Sequence, residues 1–232
     1  MKNLILIMMV FFSFSHAQEE DIYPTINGCK LQPNAHCPKV DLSNQNLKDL
    51  DLQNSNFEGA NFESSILDGT DFSKAKLKNA NFKNAKLRHA ILKQADMFKV
   101  NLENANLARA DLRHTNLKAV IAFNANFDGI NGWALFGQGS KYDGSSFHGA
   151  ALNHARMSGS SMKNCNLQAV NFEAAWMVNI NFEGSNFSNA NLQETKLPDS
   201  SLFKANMTGA RIHFANLSGV YMDECINCPV NW

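Results

Sequence analysis

The chain has 232 residues, with 21 Lys and Arg against 21 Asp and Glu, and 44% of its side chains are hydrophobic. A formal net charge of zero excludes the strongly basic surface that non-specific nucleic-acid binding requires. Length alone would allow two globular domains, but a short-period repeat that fills most of the chain overrides that expectation.

At the N-terminus, Lys2 precedes an apolar run from Leu4 to Phe14 broken only by Ser13. Ser15-His16-Ala17 then offers small residues at the two positions a signal peptidase reads. Residues 1–17 are therefore expected to be a secretory signal peptide cleaved near Ala17, since about 11 apolar residues cannot span a bilayer. Cleavage removes one lysine and leaves 20 basic and 21 acidic side chains. No later apolar run approaches spanning length, so a soluble, exported chain is expected, periplasmic or secreted. No cysteine follows the cleavage site to carry a lipid anchor.

Residues 18–39 read as an N-terminal cap and residues 223–232 as a C-terminal one. Cys29 and Cys37 lie just before the repeats, and Cys225 and Cys228 just after them. In an exported chain such close pairs read as disulfides stapling the two ends. Two competitors stand beside them. A four-thiolate zinc site would need the ends of an elongated molecule to meet, and a redox C-x-x-C lacks the βαβ context that usually carries it. Cys165, within the repeats, takes a small inward position and reads as a buried, inert thiol.

Between the caps, residues 40–222 repeat every five residues. Residues 80–97 show the pattern as ANFKN-AKLRH-AILKQ-ADM: a small residue, any residue, a large apolar one, then two polar ones. The large position recurs at 42, 47, 52 and onward in fives to 222 without a slip, giving 37 units. Ala122, Gly132 and Gly137 are the only small residues at it. Neither a helix, with period 3.6, nor a strand, with period 2, sustains a period of five over this length. A chain that turns a corner every five residues does, with Asn, Asp, Ser and Gly supplying tight corners. One unit cannot stand alone. Ordering five residues costs roughly 5–10 kcal/mol of backbone entropy, whereas burying one Leu or Phe returns about 1.5–3 kcal/mol. Stacking is compulsory, and the chain is expected to be a solenoid.

The A(D/N)LXX pattern, as in ANLAR-ADLRH at 105–114, resembles the pentapeptide-repeat family, and the likeness covers about 180 residues. The lead-in NGCKLQPNAHCPKVDLSNQNL is similar to the cysteine-bearing entry segment of some exported members. The resemblance implies an all-β fold, a right-handed quadrilateral parallel β-helix with four units per coil. Thirty-seven units would then make about nine coils, roughly 45 Å long. It also implies that the repeat residues build the fold and perform no chemistry.

The stretch 119–141 breaks the pattern, and a swollen or looped side is expected there. Trp133 and Phe136 fall at outward positions in it, as candidates for an exposed aromatic contact patch. Charge is also uneven. Residues 72–118 hold 11 Lys or Arg against three acids, and residues 19–71 hold ten acids against three lysines. At four units per coil, Lys74, Lys76, Lys78, Lys83, Lys86, Arg88 and Lys93 fall on all four sides, a basic collar rather than a groove. The collar is either a solvated surface or a site for an anionic polymer or lipid headgroup.

Catalytic signatures are absent from the sequence: no H-x-x-x-H, no G-x-S-x-G and no phosphate loop. His114 and His154 would stack two layers apart, roughly 10 Å, too far to share one zinc. Three Asn-x-Ser/Thr matches, at Asn186, Asn206 and Asn216, are what an Asn-rich repeat produces by chance.

The expected function is thus that of a non-enzymatic exported solenoid, without cofactor or metal, that binds an envelope component or another protein or acts as a spacer. Family members that mimic duplex DNA and occupy a topoisomerase offer an alternative, at odds with the neutral charge and the signal peptide. No specific nucleic-acid partner is expected. An open β-solenoid leaves unpaired backbone at its ends, so the C-terminal end is a candidate for pairing with a second copy, as occurs in this family.

Overall fold

The computed structural model describes residues 23–229. The expected signal peptide and Trp232 lie outside the described residues. The backbone repeats one motif. The residue before each large apolar side chain forms a parallel bridge to the residue 20 positions on, from His36↔Asn56 to Asn206↔Ile226. Four five-residue sides therefore separate a residue from the one stacked on it. Each side has a large residue buried within it, as Leu42, Leu47, Leu52 and Phe57 begin the four columns. The small residue two places earlier also points inward, as Ala60, Ala75 and Ala80 do.

Each side ends in a tight turn. The amide of the small residue donates to the carbonyl of the preceding large one, as from Ala60 to Phe57 at 3.0 Å and from Ala105 to Leu102 at 2.9 Å. The turn needs a left-handed residue just before the small one. Every such position from 34 to 224 has positive φ, including Lys74 (59°), His114 (57°) and Phe214 (60°). The corner is thus not reserved for glycine and asparagine, because stacking over-determines a backbone that L-residues otherwise avoid.

Asn, Asp, Ser or Gly fills most corners, as the sequence suggests, and a second set of Asn and Asp does something else. They occupy the bridge position and accept from the amide two residues on, as Asn61 Oδ1 does from Glu63 N at 3.2 Å. They also ladder from coil to coil: Asn81 Nδ2 donates to Asn61 Oδ1 at 3.1 Å, and Asn61 Nδ2 to Asp41 Oδ1 at 3.0 Å. Regular strand is scarce, contrary to what an all-β fold suggests. The described strands are β1, Thr25–Ile26, and β2, Cys29–Lys30. Corners come so often that each side has room for only an isolated bridge.

Two-residue β1 and β2 form an antiparallel hairpin across Asn27 and Gly28, both left-handed at φ 50° and 76°. Asn-Gly is the preferred pair for such a turn, a signal present in the sequence but missing from the expectations above. The hairpin lays Cys29 and Leu31 over the first coil, both buried, and a disulfide joins Cys29 to Cys37. A second disulfide joins Cys225 to Cys228. The stacked register starts at His36, before the expected boundary at 40, and reaches Ile226.

The core is one continuous column. Phe62 stacks on Phe82 with ring centroids 4.7 Å apart, and Phe127 on Phe147 at 4.6 Å, the spacing of hydrogen-bonded strands. Hydroxyls at small positions are satisfied: Thr70 Oγ1 donates to the Leu47 carbonyl and Thr115 Oγ1 to that of Leu92, both at 2.7 Å.

The swelling expected over 119–141 does not occur. Bridges Asn116↔Phe136 and Ile121↔Lys141 run straight through it. The reason is an exchange of volumes. Leu135 stands where a small residue is usual, and its Cδ2 lies 2.5 Å from where a Cβ on Gly132 would be; Leu152 Cδ2 lies at 2.7 Å. Tyr142 Oη fills the space beside Gly137, 2.7 Å from its Cβ position.

Candidate functional site

The sides are numbered here by their large residues: the first carries Leu42 and Phe62, the second Leu47 and Leu67, the third Leu52 and Phe72, the fourth Phe57 and Leu77. In this register Lys83 lies on the first side, Lys86 and Arg88 on the second, Lys74 and Lys93 on the third, and Lys76 and Lys78 on the fourth. The candidate cations are therefore not brought together. Several are also paired across adjacent coils or along a side. Lys83 Nζ lies 3.2 Å from Glu103, Lys78 Nζ 3.3 Å from Asp96, and Arg88 Nη2 2.6 Å from Asp68. Burial alone would raise the Asp68 carboxyl, yet hydrogen bonds from the Arg88 side chain and backbone hold its pKa below the usual carboxylate value. Partial burial would likewise raise the Asp111 carboxyl, and Arg113 holds it down.

Trp133 and Phe136 part company at a corner. Trp133 sits on the third side, 38% exposed, edge-on to His114 at 4.7 Å and to His154 at 5.9 Å. Phe136 belongs to the fourth side, where its bridge partners continue the column as Phe136↔Arg156↔Trp176↔Lys196. Cations and rings alternate along it. Arg156 is 5.7 Å from the Phe136 centroid, Lys118 reaches the same ring at 5.5 Å, and Lys196 Nζ lies 4.1 Å over Trp176. A coil earlier on this side, Lys99 lies 5.2 Å from Phe98. From Lys99 to Pro198 the outward residues of the fourth side include no acid.

Beside the ladder, Gln138, Arg156, Ser158 and Trp176 line a groove of about 400 Å³. Gln138 Oε1 is buried without a hydrogen-bond partner, and Trp176 is 49% exposed. Arg156, Trp176 and Lys196 were not among the residues singled out from sequence. Their signal was there, as a 20-residue comb at 136, 156, 176 and 196, hidden because a five-residue reading treats each outward position alone.

Cys165 is buried; its thiol donates to the Tyr142 carbonyl at 3.1 Å, and burial pushes its pKa up to about 12. Among the described residues no group of three or more His, Cys, Asp or Glu converges as a metal site would require.

The family model for pentapeptide repeats matches eight copies, over residues 34–63, 55–94, 65–104, 95–131, 138–168, 165–202 and 185–223. The chain belongs to the pentapeptide-repeat family. Its members fold as right-handed β-helices, in keeping with the parallel stacking above. Among solved structures this chain is similar to HetL, a pentapeptide repeat protein involved in heterocyst differentiation regulation from the cyanobacterium Nostoc. Identity is 20% over 84% of this chain and 91% of that one, with a TM-score of 0.38. A pentapeptide repeat protein from the Arabidopsis thaliana thylakoid lumen shares 34% identity over 41% of this chain and 67% of its own, with a TM-score of 0.40. Full-length QnrB1, a plasmid-mediated fluoroquinolone resistance protein, shares 18% over 83% and 94%, with a TM-score of 0.32. Comparison with curated proteins finds no match.

Proposed function

We propose that this pentapeptide-repeat chain is an exported, non-enzymatic binding rod: a right-handed quadrilateral β-helix of about nine coils that holds a partner along one side. The observation that carries the reading is the alternation of ring and cation down the fourth side. The 20-residue register turns residues far apart in sequence into one continuous strip. Large aromatic side chains left outside a core, paired with cations, mark contact surfaces. The strip also runs against mimicry of duplex DNA, which needs columns of acids where this side carries Lys118, Arg156 and Lys196. Export rests on the N-terminal segment, and the two disulfides are compatible with an oxidising compartment. A second copy is proposed to meet the C-terminal end, where Phe214 is 77% exposed and Tyr221 and Ile226 are more than half exposed.

Two measurements test the reading. Fractionation of expressing cells should find a shortened chain outside the cytoplasm; an uncleaved cytoplasmic chain would overturn export. The immobilised rod should retain a component of envelope or medium extracts that a Trp176→Ala, Arg156→Ala double variant does not. Equal retention by both would overturn the fourth side as the contact surface.

A further inference from the structure

The chemistry of the fourth side selects a class of partner. The fourth side presents Arg156 and Lys196 in one bridge column, two coils apart with Trp176 between them, and Lys118, two coils before Arg156 and two residues past the bridge position, reaches over the Phe136 ring. At one coil per roughly 4.8 Å, positive charge recurs about every 10 Å along the strip. A nucleic-acid strand carries a phosphate about every 3.4 Å, so it would leave most of its charge unmatched here. A polymer whose anionic groups are spaced out by uncharged units matches better.

The uncharged part of the strip says what those units are. Trp176 and Phe136 offer flat apolar faces, on which the C–H face of a sugar ring can lie. Beside them Gln138 and Ser158 line the groove, the Ser158 hydroxyl accepting from the Val178 amide at 3.1 Å. Sugar hydroxyls both donate and accept, which suits a groove walled by Gln138 and Ser158 beside Arg156 and Trp176.

We infer that the strip Lys118–Phe136–Arg156–Trp176–Lys196, with the Gln138–Ser158 groove beside it, binds an acidic polysaccharide lying along the rod. The inference rests on the binding-rod reading above and names its partner class. Anions meet Arg156 and the lysines, sugar faces meet the rings, and hydroxyls face the walls of the groove. Both carboxylated and sulfated glycans share this chemistry.

Affinity electrophoresis of the full chain tests it, in gels containing polygalacturonate, heparin, neutral dextran or oligo-dT. Retardation by polygalacturonate or heparin is expected, and which of the two acts more strongly identifies the anion. Trp176→Ala and Arg156→Ala should each weaken it about tenfold, the scale of one desolvated cation–π or aromatic contact. Trp133→Ala, on the third side, should leave it unchanged. All three side chains point outward, so circular dichroism should show unchanged melting. A preference for oligo-dT that depends on Trp176 would overturn the glycan assignment while leaving the strip a binding surface. Retardation by dextran alone would overturn the role of the cations. Identical mobility of wild type and all variants in every gel would overturn the strip itself.

Discussion

Exchanging the volumes at Gly132 and Leu135 tests the packing account most directly. Leu135→Ala removes a buried side chain and opens a cavity, at a cost of about 2–5 kcal/mol. Gly132→Leu alone is worse placed than its apolar character suggests. Its Cβ would meet Leu135 Cδ2 at 2.5 Å and Leu152 Cδ2 at 2.7 Å, and such overpacking costs about 1–3 kcal/mol or more. Together the two changes restore the order of the other units, small at 135 and large at 132. The double variant should therefore lie within about 1–2 kcal/mol of wild type, against a sum of about 3–8 kcal/mol for the singles. Urea unfolding followed by circular dichroism measures the cycle, and thermal melting should follow at about 2–4 °C per kcal/mol for a chain of this size. A double variant whose loss equals the sum of the singles within about 0.5 kcal/mol would refute the exchange.

Ala95→Lys should cost several kcal/mol, because a fully buried position offers the ammonium no partner, whereas Lys93→Ala should stay within about 0.5 kcal/mol; equal melting of the two would refute the register. Asp68 titrates near 3.9 when unfolded and lower when folded. Its contribution is therefore full above about pH 5 and is lost as pH falls through the folded value. The stability gap between wild type and Asp68→Asn, about 1 kcal/mol at neutral pH given the exposed Arg88 partner, should close on acidification; a gap independent of pH would refute it. Cys165, the free cysteine among the described residues, should resist a thiol reagent at pH 8 in the folded chain and react once on unfolding; rapid labelling of the native protein would contradict its burial. Phe214→Glu should convert an end-to-end dimer into a monomer by light scattering; a wild-type monomer would dispose of the C-terminal contact.

The five-residue spacing was enough to separate inward from outward residues. Ala80, Phe82, Ala85 and Leu87 are all buried as the pattern requires. Less legible was why Asn and Asp recur. The sequence suggests corners, where Asn44, Asn54 and Asn79 do stand, but Asn61 and Asp41 hold bridge positions and tie coils together, and some corners accept Lys, His and Phe. The hairpin at Asn27-Gly28 escaped because two-residue strands have no periodicity to detect.

The five-residue period dictates a solenoid, since no helix or strand can keep it and no unit can bury its apolar residues without a neighbour. It also determined which letters are free to face a partner. What those letters compose depends on how the coils stack. Phe136, Arg156, Trp176 and Lys196 lie 20 residues apart and stack in one column because one full coil returns the chain to the same side. Trp133 and Phe136, three apart, face different ways because a corner falls between them. Only packing, likewise, revealed that Leu135 and Tyr142 fill the space beside Gly132 and Gly137, because complementarity of volume exists between layers and not along the chain.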